Sequence, residues 1–189
     1  ETLFPQILKD LMTGMENTWS SIESYDGDRT RIYMTGTSAG ASLCIYLAAM
    51  LESLELAEAF HVIPAELKIR AMGLVSGMYY TTKPDSIGLF LPSYVYGKQW
   101  KKSSFYPYIN PENEVILRHL PPAFLVTAYG DMLRNYSRQY AEAMKRCGVI
   151  CHLEDFDTGK KLPHAFSTTF PEMPESKRAN ERMVKFLLS

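Results

Sequence analysis

Gly36-Thr37-Ser38-Ala39-Gly40 sets one serine between two glycines, a spacing that suits a hydroxyl held clear of its neighbours on a tight turn. A serine hydroxyl attacks a carbonyl only when a base takes its proton, and the base works best when a carboxylate orients it. His164 and Asp131 are the candidates for those two parts. In that division Ser38 is the nucleophile, His164 takes and returns the proton, and Asp131 fixes the imidazole tautomer and stabilises its cation. Each residue also has a plainer use. The five-residue pattern suits an ordinary Gly-rich turn, and Asp131 suits a cap for the helix expected near Leu133. His61, His119 and His152 compete with His164, and Asp155 and Asp157 are rival acids that lie too near the histidine loop.

What decides between these uses is the set of elements around them. Residues 32–35 are Ile-Tyr-Met-Thr, four apolar, aromatic or β-branched residues after the turn signal Asp26-Gly27-Asp28, and they predict a short buried strand. Residues 42–56 are rich in Ala, Leu and Met, with no Gly or Pro until Pro64, and predict a helix. Ser38 therefore falls on a strand-to-helix turn, where the helix dipole and free N–H groups favour a developing anion. Upstream, residues 6–25 carry Ile7, Leu8, Leu11, Met12, Met15, Trp19 and Ile22 at helical spacing. Downstream, residues 68–75, 123–129 and 149–156 read as strands. Between the last two lies a helix with Leu133, Tyr136, Tyr140, Met144 and Cys147 on one face, closed by Gly148. Residues 176–188 predict a final helix burying Ala179, Met183, Val184 and Leu187. This alternation predicts an α/β fold: a mostly parallel sheet with helices on both faces. In such a sheet all strand C-termini share one edge. Ser38, Asp131 and His164 each follow a strand, so they converge there. None of the rival histidines follows a strand in that way.

Residues 81–122 break the rhythm with repeated prolines and many aromatics, among them Phe90, Tyr94, Tyr96, Trp100, Phe105, Tyr106 and Tyr108. So long an excursion is usually functional or disordered, and its aromatic content argues against disorder. Two readings stay open: a surface excursion with its own small core, or a cap-like insertion over a pocket walled by Tyr79, Tyr80, Phe90, Tyr94 and Trp100.

Composition narrows the class. The 189 residues suit one domain, 1–189, with a real core. A net charge of −1 with interspersed signs gives no electrostatic case for nucleic acid or a membrane surface. Three cysteines, Cys44, Cys147 and Cys151, have no metal spacing, and their odd number speaks against a disulfide framework, which favours a reducing, cytoplasmic setting. No run reaches transmembrane length and no signal-peptide pattern opens the chain.

Several blocks together resemble the α/β-hydrolases, in the branch of esterases and lipases similar to hormone-sensitive lipase. They are Gly36-Thr-Ser-Ala-Gly-Ala41, Leu120-Pro-Pro-Ala-Phe-Leu-Val-Thr-Ala128 with Gly130-Asp-Met-Leu-Arg134, and Pro163-His-Ala-Phe166. Phe4-Pro-Gln-Ile-Leu-Lys-Asp10 is similar to the family's helix before the nucleophile strand, so the likeness covers nearly the whole chain. The resemblance implies a carboxylic ester hydrolase for small acyl esters, with Ser38 as nucleophile, Asp131 as acid and His164 as base. It implies Ala39 N–H as one oxyanion donor and no metal or organic cofactor. Thr37, Ala41 and Ala165 depart from common family residues at their positions. A serine peptidase of the prolyl-oligopeptidase type, or a non-catalytic hydrolase-fold binding protein, are the alternatives.

Nothing before Ser38 resembles the family's His-Gly-Gly oxyanion loop, so the chain reads as the C-terminal portion of such a domain. On that expectation residues 31–35 form an exposed sheet edge through which copies could associate. The 189-residue chain alone would then be a weak esterase, because each missing oxyanion donor costs roughly 10²–10³ in rate.

Overall fold

The protein is described by a computed structural model covering residues 3–157 and 159–189. Four strands, β1 (Tyr33–Thr37), β2 (Ala71–Val75), β3 (Ala123–Ala128) and β4 (Cys151–Phe156), pair in parallel in the order β1-β2-β3-β4. The register sets Thr37 opposite Val75, Val75 opposite Val126 and Ala128 opposite Phe156, so the four C-terminal ends lie along one edge. β2 and β3 are buried at every position, as strands covered on both faces must be. Among the described residues β1 has a partner on one side only.

Alternation along β2 and β3 divides the core into two layers. Met72, Leu74, Ala123 and Leu125 face α1 (Phe4–Ser21), α2 (Ala39–Glu52) and α6 (Arg134–Arg146). Ala71, Val75, Phe124, Val126 and Ala128 face α7 (Phe166–Thr169) and α8 (Pro174–Leu187). In α2, every residue from Ala41 to Met50 except Leu43 is buried, which explains a helix apolar on all sides.

The boundaries correct several expectations. The helix expected over 42–56 begins at Ala39 and stops at Ser53, whose hydroxyl accepts the Leu56 N–H and starts a separate helix, α3 (Leu54–Ala59). The amphipathic face of α1 buries Phe4, Leu8 and Met12, whereas Leu11 is exposed. In α8, Val184 is exposed, because it follows Met183 by one residue and points away from the layer that Ala179, Met183 and Leu187 share.

Between β2 and β3 the chain forms α4 (Ser86–Tyr96), two short 3₁₀ turns and α5 (Glu114–Leu117). Asp85 caps α4 by accepting the Ile87 and Gly88 N–H groups, both at 3.0 Å. Tyr96 and Phe105 join Phe4, Tyr46 and Phe60 in an aromatic cluster with centroids 5.0–6.3 Å apart. This half of the excursion is therefore core.

Candidate active site

Ser38 stands between β1 and α2 with φ 56° and ψ −118°, a conformation that an L-residue keeps only when its surroundings impose it. The Ser38 N–H donates to the Val75 carbonyl at 2.9 Å, and its own carbonyl accepts from Met78 N–H at 3.0 Å and Ala41 N–H at 3.2 Å. Those three bonds hold the strained turn. Gly36 is sterically required, because a Cβ there would lie 2.5 Å from the Gly40 carbonyl oxygen and 2.7 Å from Cys44 Sγ. Gly40 is different: a Cβ there would meet nothing within 4 Å, so the expected steric need for glycine at this second position does not hold. Ala39 is the first residue of α2, and its N–H has no helical carbonyl one turn before it, which leaves it free for an anion at Ser38.

Asp131 lies just past β3, with its side chain fully buried. One carboxylate oxygen accepts from His164 Nδ1 at 2.8 Å and from the Leu133 N–H at 2.9 Å. The other accepts from the Thr127 hydroxyl at 3.2 Å. Asp131 is not the helix cap it could have been, since α6 starts at Arg134 with Leu133 at its N-cap and no side-chain cap bond. The Leu133 N–H instead fixes the same carboxylate oxygen that meets the histidine. On the far side of the ring, His164 Nε2 lies 2.9 Å from Ser38 Oγ. With Nδ1–H donated to Asp131, Nε2 carries the lone pair and accepts the serine proton.

Backbone contacts keep the histidine loop beside Asp131. Leu162 N–H donates to the Tyr129 carbonyl at 2.8 Å, and Gly130, at φ +106°, passes so close to Leu162 that a Cβ would lie 2.8 Å from its carbonyl oxygen. Ala165 adopts a left-handed conformation, φ 58° and ψ 30°, and its N–H donates to the fully buried Ser76 hydroxyl at 3.1 Å. Thr127 and Ser76 escaped the sequence reading. Thr127 had a faint signal, a hydroxyl four residues before the acid on a buried strand, and Ser76 had none.

Of the rivals, His152, His119, Asp155 and Asp157 are occupied elsewhere. His152 stacks on Phe124 at 4.7 Å and lies 3.3 Å from Glu154. His119 Nδ1 is 2.7 Å from the Val115 carbonyl, and its ring lines a hollow with Lys68 and Arg118 away from Ser38. Arg134 binds Asp155 at 2.8 Å and Asp157 at 3.0 Å.

One cavity opens at the serine and a second lies over the start of α2. The first, of about 360 Å³, is lined by Ser38, His164, Met78, Phe90, Tyr94 and Met132, among others. The second, of about 390 Å³, lies over Ala39 and Leu43 and is walled by Ile7, Met78, Tyr79 and Tyr94, among others. Of the five expected wall residues, Phe90, Tyr94 and Tyr79 are placed at these cavities. Tyr80 and Trp100 are not. Tyr80 is buried against Tyr136 and Tyr140 and donates its hydroxyl to Glu112 at 2.6 Å. Burial raises that phenol's pKa above the usual range. Trp100 packs on Tyr96 and Tyr106 and faces a different hollow. Both were expected at the wall because aromatic content cannot tell a pocket face from a core face.

Comparison with known proteins agrees with this architecture. Residues 1–168 match the family described as the alpha/beta hydrolase fold. Esterase B from Lactobacillus rhamnosis superposes with a TM-score of 0.88 at 19% identity, covering 98% of this chain and 61% of that one. Esterase LipW from Mycobacterium marinum gives 0.74 at 20% identity, covering 98% and 58%. The Pyrobaculum calidifontis esterase gives 0.71 at 19% identity, covering 98% and 61%. The chain thus spans about six-tenths of the length of these structures. No curated protein sequence matches it. Among the described residues, no helix is long and apolar enough to cross a membrane.

Proposed function

The chain belongs to the alpha/beta hydrolase fold family, and from that premise we propose that it is a carboxylic ester hydrolase acting through an acyl-enzyme on Ser38. The observation that carries this reading is the continuous chain Ser38 Oγ to His164 Nε2 at 2.9 Å and His164 Nδ1 to Asp131 at 2.8 Å. Ser38 Oγ attacks the ester carbonyl while His164 Nε2 takes its proton. The carbonyl oxygen becomes an oxyanion beside the Ala39 N–H at the start of α2. When the intermediate collapses, the bond to the alcohol oxygen breaks and His164 returns the proton to that oxygen. Water then attacks the acyl-enzyme with His164 again as base, releasing the acid and restoring Ser38. Asp131, locked by Leu133 N–H and the Thr127 hydroxyl, keeps Nδ1 protonated and stabilises the imidazolium. No step calls for a metal or an organic cofactor.

The esterases named above, and a solved esterase B complex described as inhibited by a tributyrin phosphonate, support the ester class by fold alone. The test is substrate class. Turnover of a p-nitrophenyl acyl ester with no cleavage of a matched proline amide is expected. Amide cleavage as fast as ester cleavage would instead point to a peptidase.

A further inference from the structure

We infer that α4 and the turn after it form a docking face for an anionic lipid surface, set beside the mouth of the Ser38 cavity. Residues 86–111 hold Lys98, Lys101 and Lys102 and no acidic residue, in a chain whose overall charge is −1. A net value near zero hides this segregation, and a local basic face acts on a nearby membrane whatever the total. The apolar side chains of the same stretch are turned outward. On α4, Leu89 is 72% exposed and Phe90 and Tyr94 are 71% exposed. Met132, which lines the Ser38 cavity with Phe90 and Tyr94, is exposed too. Large apolar side chains gathered bare in one place mark a contact surface.

The helix makes a ridge between two hollows. Phe90 and Tyr94, one turn apart, line the cavity at Ser38. Leu89 instead lines a hollow of about 620 Å³ that it shares with Lys98, Trp100, Lys101 and Lys102. All three lysines are exposed, and Lys101 Nζ lies 5.3 Å from the Trp100 ring centroid. Beneath the ridge Pro92 and Tyr96 are buried, and Tyr96 packs on Phe4 and Phe105, so the helix is anchored while its top is bare. This plan suits a helix lying in the plane of an interface, with apolar side chains in the acyl boundary and lysines against the phosphates beside it. At 11 residues α4 is too short to span a bilayer. Trp100 adds a ring of the kind that settles at headgroup level. A protein partner fits less well, because lysine is depleted at protein–protein interfaces, whereas an anionic bilayer attracts it. An ester dissolved in the surface would reach Ser38 from the side on which the protein docks.

The experiment is co-sedimentation of the full chain with vesicles of phosphatidylcholine alone, or of equal parts phosphatidylcholine and phosphatidylglycerol. Binding is read without turnover, so the outcome does not depend on the acyl-enzyme reading. The anionic vesicles are expected to bind about a hundredfold more tightly than the neutral ones, and less tightly as salt is raised. Replacing Lys98, Lys101 and Lys102 by Gln should remove most of that difference, at about fivefold per lysine. Leu89→Glu should weaken binding by about tenfold or more, the value of burying one leucine side chain. Lys177→Gln with Lys185→Gln, on α8, should leave binding within about twofold, which separates a local face from the general charge of the chain. Circular dichroism identifies a variant that fails to fold, and Leu89→Gln then stands in for Leu89→Glu. The docking face is overturned if neutral and anionic vesicles bind equally, if neither binds, or if the lysine and Leu89 variants bind as the unsubstituted chain does. A dimer that Leu89→Glu splits, found together with no vesicle binding, would also overturn it and give the face to a second copy instead.

Discussion

The strand-end edge that carries Ser38, Asp131 and His164 and the excursion between β2 and β3 meet at one site but are built on opposite plans. At the strand ends, backbone bonds and buried hydroxyls set every position. Ser38 is held by Val75, Met78 and Ala41, Asp131 by Leu133 and Thr127, and the residue after His164 by Ser76. In the excursion, the residues nearest Ser38 sit on one helix, α4, and are exposed: Phe90 and Tyr94 are each 71% accessible. Tyr96 and Phe105 of that segment are held in core, with Trp100 and Tyr108 packed against it. Chemistry needs reacting groups fixed to within a fraction of an ångström, and fixed strand ends supply that. On the proposed reading selectivity needs only shape, which exposed side chains could supply while contributing little to stability.

The contrast breaks most visibly at the triad. Ser38→Ala should lower ester turnover by about 10⁶-fold and Asp131→Asn by about 10⁴-fold with the fold retained, as measured by kcat and circular dichroism. The Ser38→Ala/His164→Ala double variant should be no worse than either single one, because the members act as one unit. His152→Ala should leave the rate within a few-fold, and a large loss there would move the base assignment.

Next in size is the turn itself. Gly36→Ala should destabilise by about 3 kcal/mol, since its Cβ collides with backbone that cannot move without undoing Ser38. Gly40→Ala should be neutral or stabilise by up to about 1 kcal/mol, the usual helix preference for alanine. Denaturant unfolding of both variants measures the difference, and equal losses would mean the elbow is not held as described.

A third pair separates wall from core within the excursion. Phe90→Ala should shift relative kcat/KM among esters with a stability change within about 0.5 kcal/mol. Trp100→Ala should do the opposite, losing about 2 kcal/mol of packing on Tyr96 and Tyr106 with unchanged ester preference. If both residues behave alike, the distinction between the two halves fails.

The smallest effect sharpens the strand-end side. Ala165 is left-handed, where an L-side chain loses roughly 1 kcal/mol. Ala165→Gly relieves that strain and gives up a buried methyl of similar value, so stability should stay within about 0.5 kcal/mol by chemical denaturation. A loss well above 1 kcal/mol would mean the loop stores no strain.

Much of the fold, and the meeting of Ser38, His164 and Asp131 at one edge, was legible in the sequence for a physical reason. Buried parallel strands must be continuous apolar runs, as at 71–75 and 123–128, and groups that follow such strands must share an edge. The break at Ser53 was not legible, because a capping serine between two apolar helical stretches looks like one interior serine. The wall was only half legible. Phe90 and Trp100 are both aromatic residues in one Pro-rich segment, and only tertiary packing turns one to the cavity and the other to the Tyr96 cluster. Met78 carried no signal at all, since its place depends on a backbone bond to Ser38, 40 positions away, and a bond from the Ser42 hydroxyl, 36 positions away.

The most direct measurement of the central claim is covalent. The full chain is treated with an alkyl fluorophosphonate, digested, and the adduct is mapped by mass spectrometry. A single adduct on Ser38 is expected, absent in Ser38→Ala and formed far more slowly in His164→Ala. An adduct on another serine, or labelling of Ser38 that proceeds equally fast without His164, would contradict it.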